Sequence, residues 1–198
     1  CRQDEYVKIK VGNVAESKEF SFKWIQERNE ALAKKIEDYR EKIFREYGVY
    51  FCAIVWGPAV PYADEISEKI ERKFRVSARK SMTFQENEYC DFIKEIYDID
   101  DVDCWKTVMK IEHLKQYSHK TEIIIFEIPF PNFREKWRDG SYLSDEGAKL
   151  KREIREEFKK YIPGYKKDII IHIGDNHMHN AYMMKTVEMW GRKDLDGE

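Results

Sequence analysis

Ile171-His172-Ile173-Gly174-Asp175-Asn176-His177-Met178-His179-Asn180 is the stretch on which the reading of this chain turns. The residues leading into it, Asp168-Ile169-Ile170-Ile171-His172, form an apolar run of strand length, and Gly174 supplies a turn. Apolar spacing resumes as a helix over about 177–190. His172 is therefore expected at the end of a buried strand, with one edge of its imidazole open to the crevice there. A neutral imidazole is a good nucleophile near neutral pH because its pKa lies close by. Asp175, three residues on, is placed to cap the following helix or to meet a backbone donor. The plainer alternative is a half-buried histidine with a packing role only.

The same alternation of strand and helix signals runs back through the chain. Residues 49–56 (Val-Tyr-Phe-Cys-Ala-Ile-Val-Trp) are continuously apolar, and Gly57, Pro58 and Pro61 mark the next turn. Helical spacing covers 62–73 through Ile66 and Ile70, and 74–84 alternate as a strand. Tyr89, Phe92, Ile93 and Ile96 share one face of a helix over 86–97; an acidic turn leads to a second helix over 104–116. Thr121-Glu-Ile-Ile-Ile-Phe-Glu-Ile128 is a β-branched strand. Pro129, Pro131, Asn132 and Gly140 read as a loop, and Ser144 opens a charged helix to about Tyr161. Reduced to its core, the order is β-α-β-β-α-β, a ferredoxin-like α+β arrangement: an antiparallel sheet with helices on its faces and a helical hairpin between the second and third strands. The runs at 49–56, 121–128 and 168–172 are expected to be interior strands. Ahead of this domain (49–198), residues 1–48 are expected to form an extension: a strand at 6–11 and a long amphipathic helix from Ser21 to about Tyr47.

Composition narrows the function classes. Of 198 residues 37% are charged, with 36 basic and 38 acidic side chains, and the mean hydropathy is −0.75. The 14% aromatic content argues against a disordered chain. No basic stripe suits a nucleic-acid backbone, so no nucleic-acid partner is expected. No apolar run is long enough to span a bilayer, and no membrane partner is expected. The chain begins with Cys1 rather than Met, which reads as a fragment or processed form. Cys52, Cys90 and Cys104 lack metal or redox spacing and read as small buried hydrophobes in a reducing compartment, hence a cytoplasmic location.

Two further groups bear on chemistry. Tyr97 and Trp105 sit on either side of the hairpin turn, where two aromatics can clamp a planar base; packing within the hairpin is the alternative. The charged helix carries Arg152 and Arg155 three residues apart, spaced to grip phosphate oxygens together, although such charge runs are commonly solvated helix faces. With these in place the chain resembles the nucleoside diphosphate kinase family over about residues 50–190. Ile54-Val55-Trp56-Gly57-Pro58-Ala59-Val60 is similar to the family's first strand and turn, and Glu65-Ile66 through Ile70-Glu71-Arg72-Lys73-Phe74 to its first helix. Tyr97, Trp105, Ile154-Arg155-Glu156-Glu157-Phe158 and Ile170-Ile171-His172-x-x-Asp175 come in the family's order.

The resemblance implies a nucleoside tri- or diphosphate partner and Mg²⁺ carried with the nucleotide. It implies Trp105 and Met109 against the base, Tyr97, Arg155 and Asp175 around the phosphates, and His172 as the residue that takes the γ-phosphate. It also makes a homo-oligomer an expectation. The departures are specific. Trp56 stands where the family keeps a phosphate-binding lysine, Ile169 where it keeps an asparagine, Gly174 a serine and Met183 a glutamate. Arg134, Lys136 and Arg138, in the Pro-containing loop, are the candidates to supply the missing charge, with Arg152 beside Arg155. Two alternatives stand beside phosphotransfer: a nucleotide-binding or interaction module of the same fold without turnover, and a metal-dependent hydrolase built on His172, Asp175, His177 and His179.

Overall fold

The computed structural model describes residues 34, 38, 39, 48–99, 104–136, 141–166 and 168–193. The strand expected at 6–11 and nearly all of the helix expected from Ser21 to Tyr47 lie outside the described residues, as does Arg138. The chain divides into two compact units, Cys1–Glu46 and Tyr47–Glu198, and nearly all of the described residues belong to the second.

The elements of this second unit are β1 (Gly48–Val55), a 3₁₀ turn (Gly57–Tyr62), α1 (Ala63–Glu71), β2 (Arg75–Thr83), α2 (Glu86–Tyr97), α3 (Cys104–Leu114) and β3 (Lys120–Pro129), then β4 (Phe133–Glu135), β5 (Tyr142–Ser144), α4 (Asp145–Phe158), β6 (Ile171–Ile173) and α5 (His177–Lys193). The main sheet has four strands in the order β2-β3-β1-β6, all antiparallel neighbours. That order, with a helix after β1 and another before β6, is the ferredoxin-like βαββαβ arrangement. The helical hairpin α2–α3 is inserted between β2 and β3.

Pleating assigns the sheet's two faces. Ile54, Ile123 and His172 are register partners across β1, β3 and β6 and so point to one side. Trp56 comes after Ile54 on that side, stacked on Tyr97 and edge-on to Phe92 of α2. Phe51, Ala53, Val55, Ile171 and Ile173 point to the other. There Gly147 of α4 lies so near Phe51 that an added Cβ would come within 3.2 Å of its ring, and Lys73, just beyond α1, pairs with Glu153 of α4 at 2.6 Å. Helices α2 and α5 thus cover one face, α1 and α4 the other.

Local chemistry sets the helix starts. Ser144 accepts a hydrogen bond from Gly147 N to cap α4, as its position ahead of the charged run suggests. Gln85 and Glu88 form a reciprocal capping box on α2. Gly57 is required by close approach, since a Cβ there would fall 1.9 Å from the Ser118 carbonyl oxygen.

Three expectations need correction. The run at 168–172 contributes an edge strand, not an interior one, and only Ile171–Ile173 pair as β. It reads as interior because Ile169, Ile170, Ile171 and Ile173 are buried, helices lying on both faces. The segment expected as loop between β3 and α4 holds the two-stranded ribbon β4–β5. Its three-residue strands are too short for alternation to register. Finally, Cys104, which opens α3, is exposed and Cys90 partly so; among the described cysteines only Cys52 is buried, and burial pushes its thiol up to about 12. Among the described residues no helix is long and apolar enough to cross a membrane.

One buried amide joins β6 to the sheet. Asn180 of α5 is fully buried; its Oδ1 accepts the Cys52 N–H of β1 at 2.8 Å, and its Nδ2 donates to the Gly174 and Asn176 carbonyls at 3.2 and 2.6 Å. Gly174 has no room for a side chain, because a Cβ would lie 2.5 Å from Asn180 Oδ1. Asn180→Ala leaves a buried N–H and two carbonyls without this partner and is expected to cost about 3 kcal/mol, read as a lower urea midpoint. Gly174→Ala should destabilise in the same assay; a midpoint unchanged in both variants contradicts this role for Asn180.

Candidate functional site

His172 occupies the middle of β6 on the face covered by α2, and 6% of it is exposed. It is not open to a crevice at the strand end, as expected, because Tyr97 of α2 lies across it: the ring centroids are 4.6 Å apart with an interplanar angle of 60°. Tyr97 is itself only 7% exposed and stacks on Trp56 at 6.0 Å. Its hydroxyl accepts a 2.9 Å hydrogen bond from Lys110 Nζ of α3, and that ammonium also lies 4.5 Å from the Tyr97 ring centroid. Trp56, Tyr97, His172 and Lys110 therefore form one connected cluster between the sheet and the hairpin.

Trp56 itself carries an unmet hydrogen-bonding need. The residue is fully buried and its indole N–H has no acceptor among the described residues. Such an orphan costs about 1–3 kcal/mol, which an acceptor oxygen placed there would recover.

Outward along α3, Trp105, Val108 and Met109 are 54, 55 and 47% exposed. Spacings of three and four put them on one helical face, a short apolar strip at the surface. Lys106 Nζ stands 5.5 Å from the Trp105 ring. Of the aromatics expected to clamp a base, Trp105 lies at the surface and Tyr97 is engaged inside.

The remaining candidates are occupied elsewhere. Arg155 donates through Nε and Nη2 to the Ile171 carbonyl at 3.2 and 3.0 Å, and Nη1 pairs with Asp168 at 3.2 Å. As β6 is an edge strand, this guanidinium satisfies a carbonyl that no neighbouring strand reaches. It belongs to α4, on the face opposite His172. Arg152 is exposed one turn away and does not join it. Arg134 pairs with Asp145 at 2.5 Å near the start of α4.

Asp175 does not cap α5. Asn176 does, its Oδ1 accepting from Met178 and His179 N–H at 3.0 Å each. Asp175 instead draws two lysines, Lys136 just after β4 and Lys151 of α4, the latter at 2.8 Å. Burial works to raise its pKa, but the Lys151 charge and the hydrogen bonds from Lys136 and Lys151 outweigh that. The carboxyl is held well below the usual carboxylate range. Among the described residues no group of three or more His, Cys, Asp or Glu side chains could hold a metal ion, so His172, Asp175, His177 and His179 do not assemble as a hydrolase centre. A cavity of about 340 Å³ opens along α2 between Asp91, Lys94, Glu95, Asp98 and Trp190, and none of the expected site residues lines it.

Sequence reasoning placed Tyr97 and His172 at the site but not Trp56, which it read only as a departure from the family pattern, nor Lys110. The signal for Lys110 was a lysine directly after Met109, on the helix expected to face a base.

No protein-family profile and no curated protein matches the chain. Solved structures similar to it include the Aquifex aeolicus nucleoside diphosphate kinase (16% identity, 71% of this chain and 94% of that one, TM-score 0.42). A nucleoside diphosphate kinase family protein from Babesia bovis is 16% identical over 70% of this chain and 86% of its own, with a TM-score of 0.44. A Borrelia burgdorferi nucleoside-diphosphate kinase, in a transition-state mimic with vanadate and ADP, is 14% identical over 71 and 87%, with a TM-score of 0.42. Likeness at this level assigns no residue role, and the case for the fold rests on strand order and register.

The Asp175 cluster has a pH signature. Its folded pKa lies below its unfolded value, so the interaction is fully present above about pH 4 and is lost as pH falls below that. Asp175→Asn should cost about 3 kcal/mol at pH 7, with two partly buried lysines left facing an amide. In urea titrations at pH 7, 5 and 3 its deficit relative to wild type should shrink at the lowest pH. A deficit constant across the series contradicts the assignment.

Proposed function

We propose that the second unit is a nucleotide-handling domain that binds a nucleoside polyphosphate along the α2–α3 hairpin. The base stacks on Trp105 beside Met109, and the phosphates run toward Tyr97 and His172. The observation that carries this reading is the continuity of the hairpin. Exposed Trp105 and Met109 lie on the helix that delivers Lys110 to Tyr97, and Tyr97 in turn touches His172. Such an apolar strip beside a cation suits a ligand that is flat and apolar at one end and anionic at the other. Mg²⁺ would arrive on the phosphates, which it bridges in nucleotide sites. The sequence resemblance to the kinases favours a self-associating protein, and cysteines without redox or metal spacing favour a cytoplasmic one.

A second reading adds turnover: attack of the His172 imidazole on the γ-phosphorus, release of the diphosphate and passage of the phosphoryl group to an acceptor. Its support is the histidine itself, in mid-strand beside a tyrosine and a lysine. Against it stand the 6% exposure of His172 and the commitment of Arg155 to an edge carbonyl, so binding without turnover is the better-supported form.

Calorimetry with Mg·ATP should show binding, weakened about tenfold in Trp105→Ala, the loss expected for one stacked base. Absence of heat in wild type, or equal affinity in the variant, overturns the hairpin site. Incubation with γ-labelled ATP separates the two readings. Binding alone predicts no acid-labile label, whereas label on wild type that disappears in His172→Ala establishes transfer.

A further inference from the structure

The surface cavity of about 340 Å³ beside α2 has the size of a small-molecule site, and its lining is mainly of one charge. Asp91, Glu95 and Asp98 come from α2 and its C-cap at spacings of four and three residues, so they share one helical face. Lys94 is the single basic residue of the lining, and Trp190 of α5 supplies its aromatic part. Asp91 and Asp98 are exposed and make no side-chain hydrogen bond or ion pair among the described residues. Glu95 accepts from Trp190 Nε1 at 2.6 Å. That bond, with edge-on contacts to Phe84 and Phe92 at 5.9 and 6.0 Å, fixes the indole in place. We propose that this cavity binds a linear aliphatic polyamine, its ammonium groups on the carboxylates and its methylenes against the indole.

Sign, shape and surface each point to that chemistry. A cleft lined mainly by one charge concentrates ions of the other. The negative field reaches across to α5, where burial and then the Asp98 and Glu95 charges raise the pKa of the Tyr182 phenol. The carboxylates are also spread out: the helical rise sets Glu95 about 6 Å beyond Asp91 along the axis, and Asp98 about 4.5 Å further. Ammonium groups separated by three or four methylenes lie about 5–6 Å apart in an extended chain with bonds of about 1.5 Å. A single metal ion does not match this spread, and among the described residues no group of three or more such side chains could hold one. The indole adds apolar surface for methylenes and a ring that attracts ammonium. Lys94, between the carboxylates in sequence, opposes an added cation. None of the residues of the hairpin reading lines this cavity.

The test uses the full chain and calorimetry at low ionic strength. The probes are spermidine and hexaamminecobalt(III), which carries the same charge in compact form. Wild type should bind spermidine saturably, at least about fivefold more tightly than hexaamminecobalt(III). The double variant Asp91→Asn, Asp98→Asn should lose about fivefold or more on spermidine, as expected for two exposed ion pairs. Lys94→Gln, lacking the like charge, should bind spermidine more tightly than wild type. Glu65→Gln, on α1 at the other face of the sheet, should match wild type. A melting temperature within a few degrees of wild type establishes that the double variant is folded. Wild type that binds no spermidine overturns the assignment. So does hexaamminecobalt(III) binding as tightly as spermidine, which would be charge attraction alone, or a folded double variant with wild-type affinity for spermidine.

Discussion

The contact of the Tyr97 ring with the His172 imidazole is the constraint around which this domain is arranged. It ties the inserted hairpin to the edge strand of the sheet, two elements far apart in the sequence. Strand β6 is only three residues long and pairs with β1 alone, so its position depends on what packs against it. Tyr97 holds it from one face, Arg155 satisfies its outer carbonyl, and Asn180 and Gly174 close the next turn. The histidine that looks like a reactive group in the sequence is, in the folded chain, a buried structural contact.

The charged side chains are likewise engaged by the fold. A phosphate site formed by several converging cations has to keep those cations apart from carboxylates and carbonyls. Here most of them have been drawn into the architecture: Arg155 at the sheet edge, Lys136 and Lys151 on a shared aspartate, Arg134 on Asp145. Lys110 meets the Tyr97 hydroxyl and ring face.

Much of the architecture was legible because each core element carries its own pattern. Tyr89, Phe92, Ile93 and Ile96 mark α2 by spacing, and it runs over the residues expected, Glu86–Tyr97. Ser144 announces α4. The ferredoxin-like arrangement could be read from the alternation of elements, but the place of β6 at the edge could not. An apolar run reports that both faces are covered and says nothing of whether both edges are paired. The site was less legible. Trp105 and Met109 lie exposed on one helical face. What could not be read was which polar side chains are consumed by the fold: that Asn176 caps α5 in place of Asp175, that Arg155 turns to a backbone carbonyl, and that Lys110 reaches back across the hairpin to Tyr97. Each depends on side-chain reach across the fold, which local periodicity does not encode.

The most direct test is the imidazole of His172, monitored by nuclear magnetic resonance in chain labelled with nitrogen-15 at histidine, during titration with Mg·ATP. If polyphosphate enters the cluster of Lys110, Tyr97 and Trp56, the His172 ring signals shift progressively and saturate together with binding. The signals of exposed His177 stay in place. Saturating nucleotide that leaves the His172 ring signals where they were would place the ligand elsewhere and contradict the account.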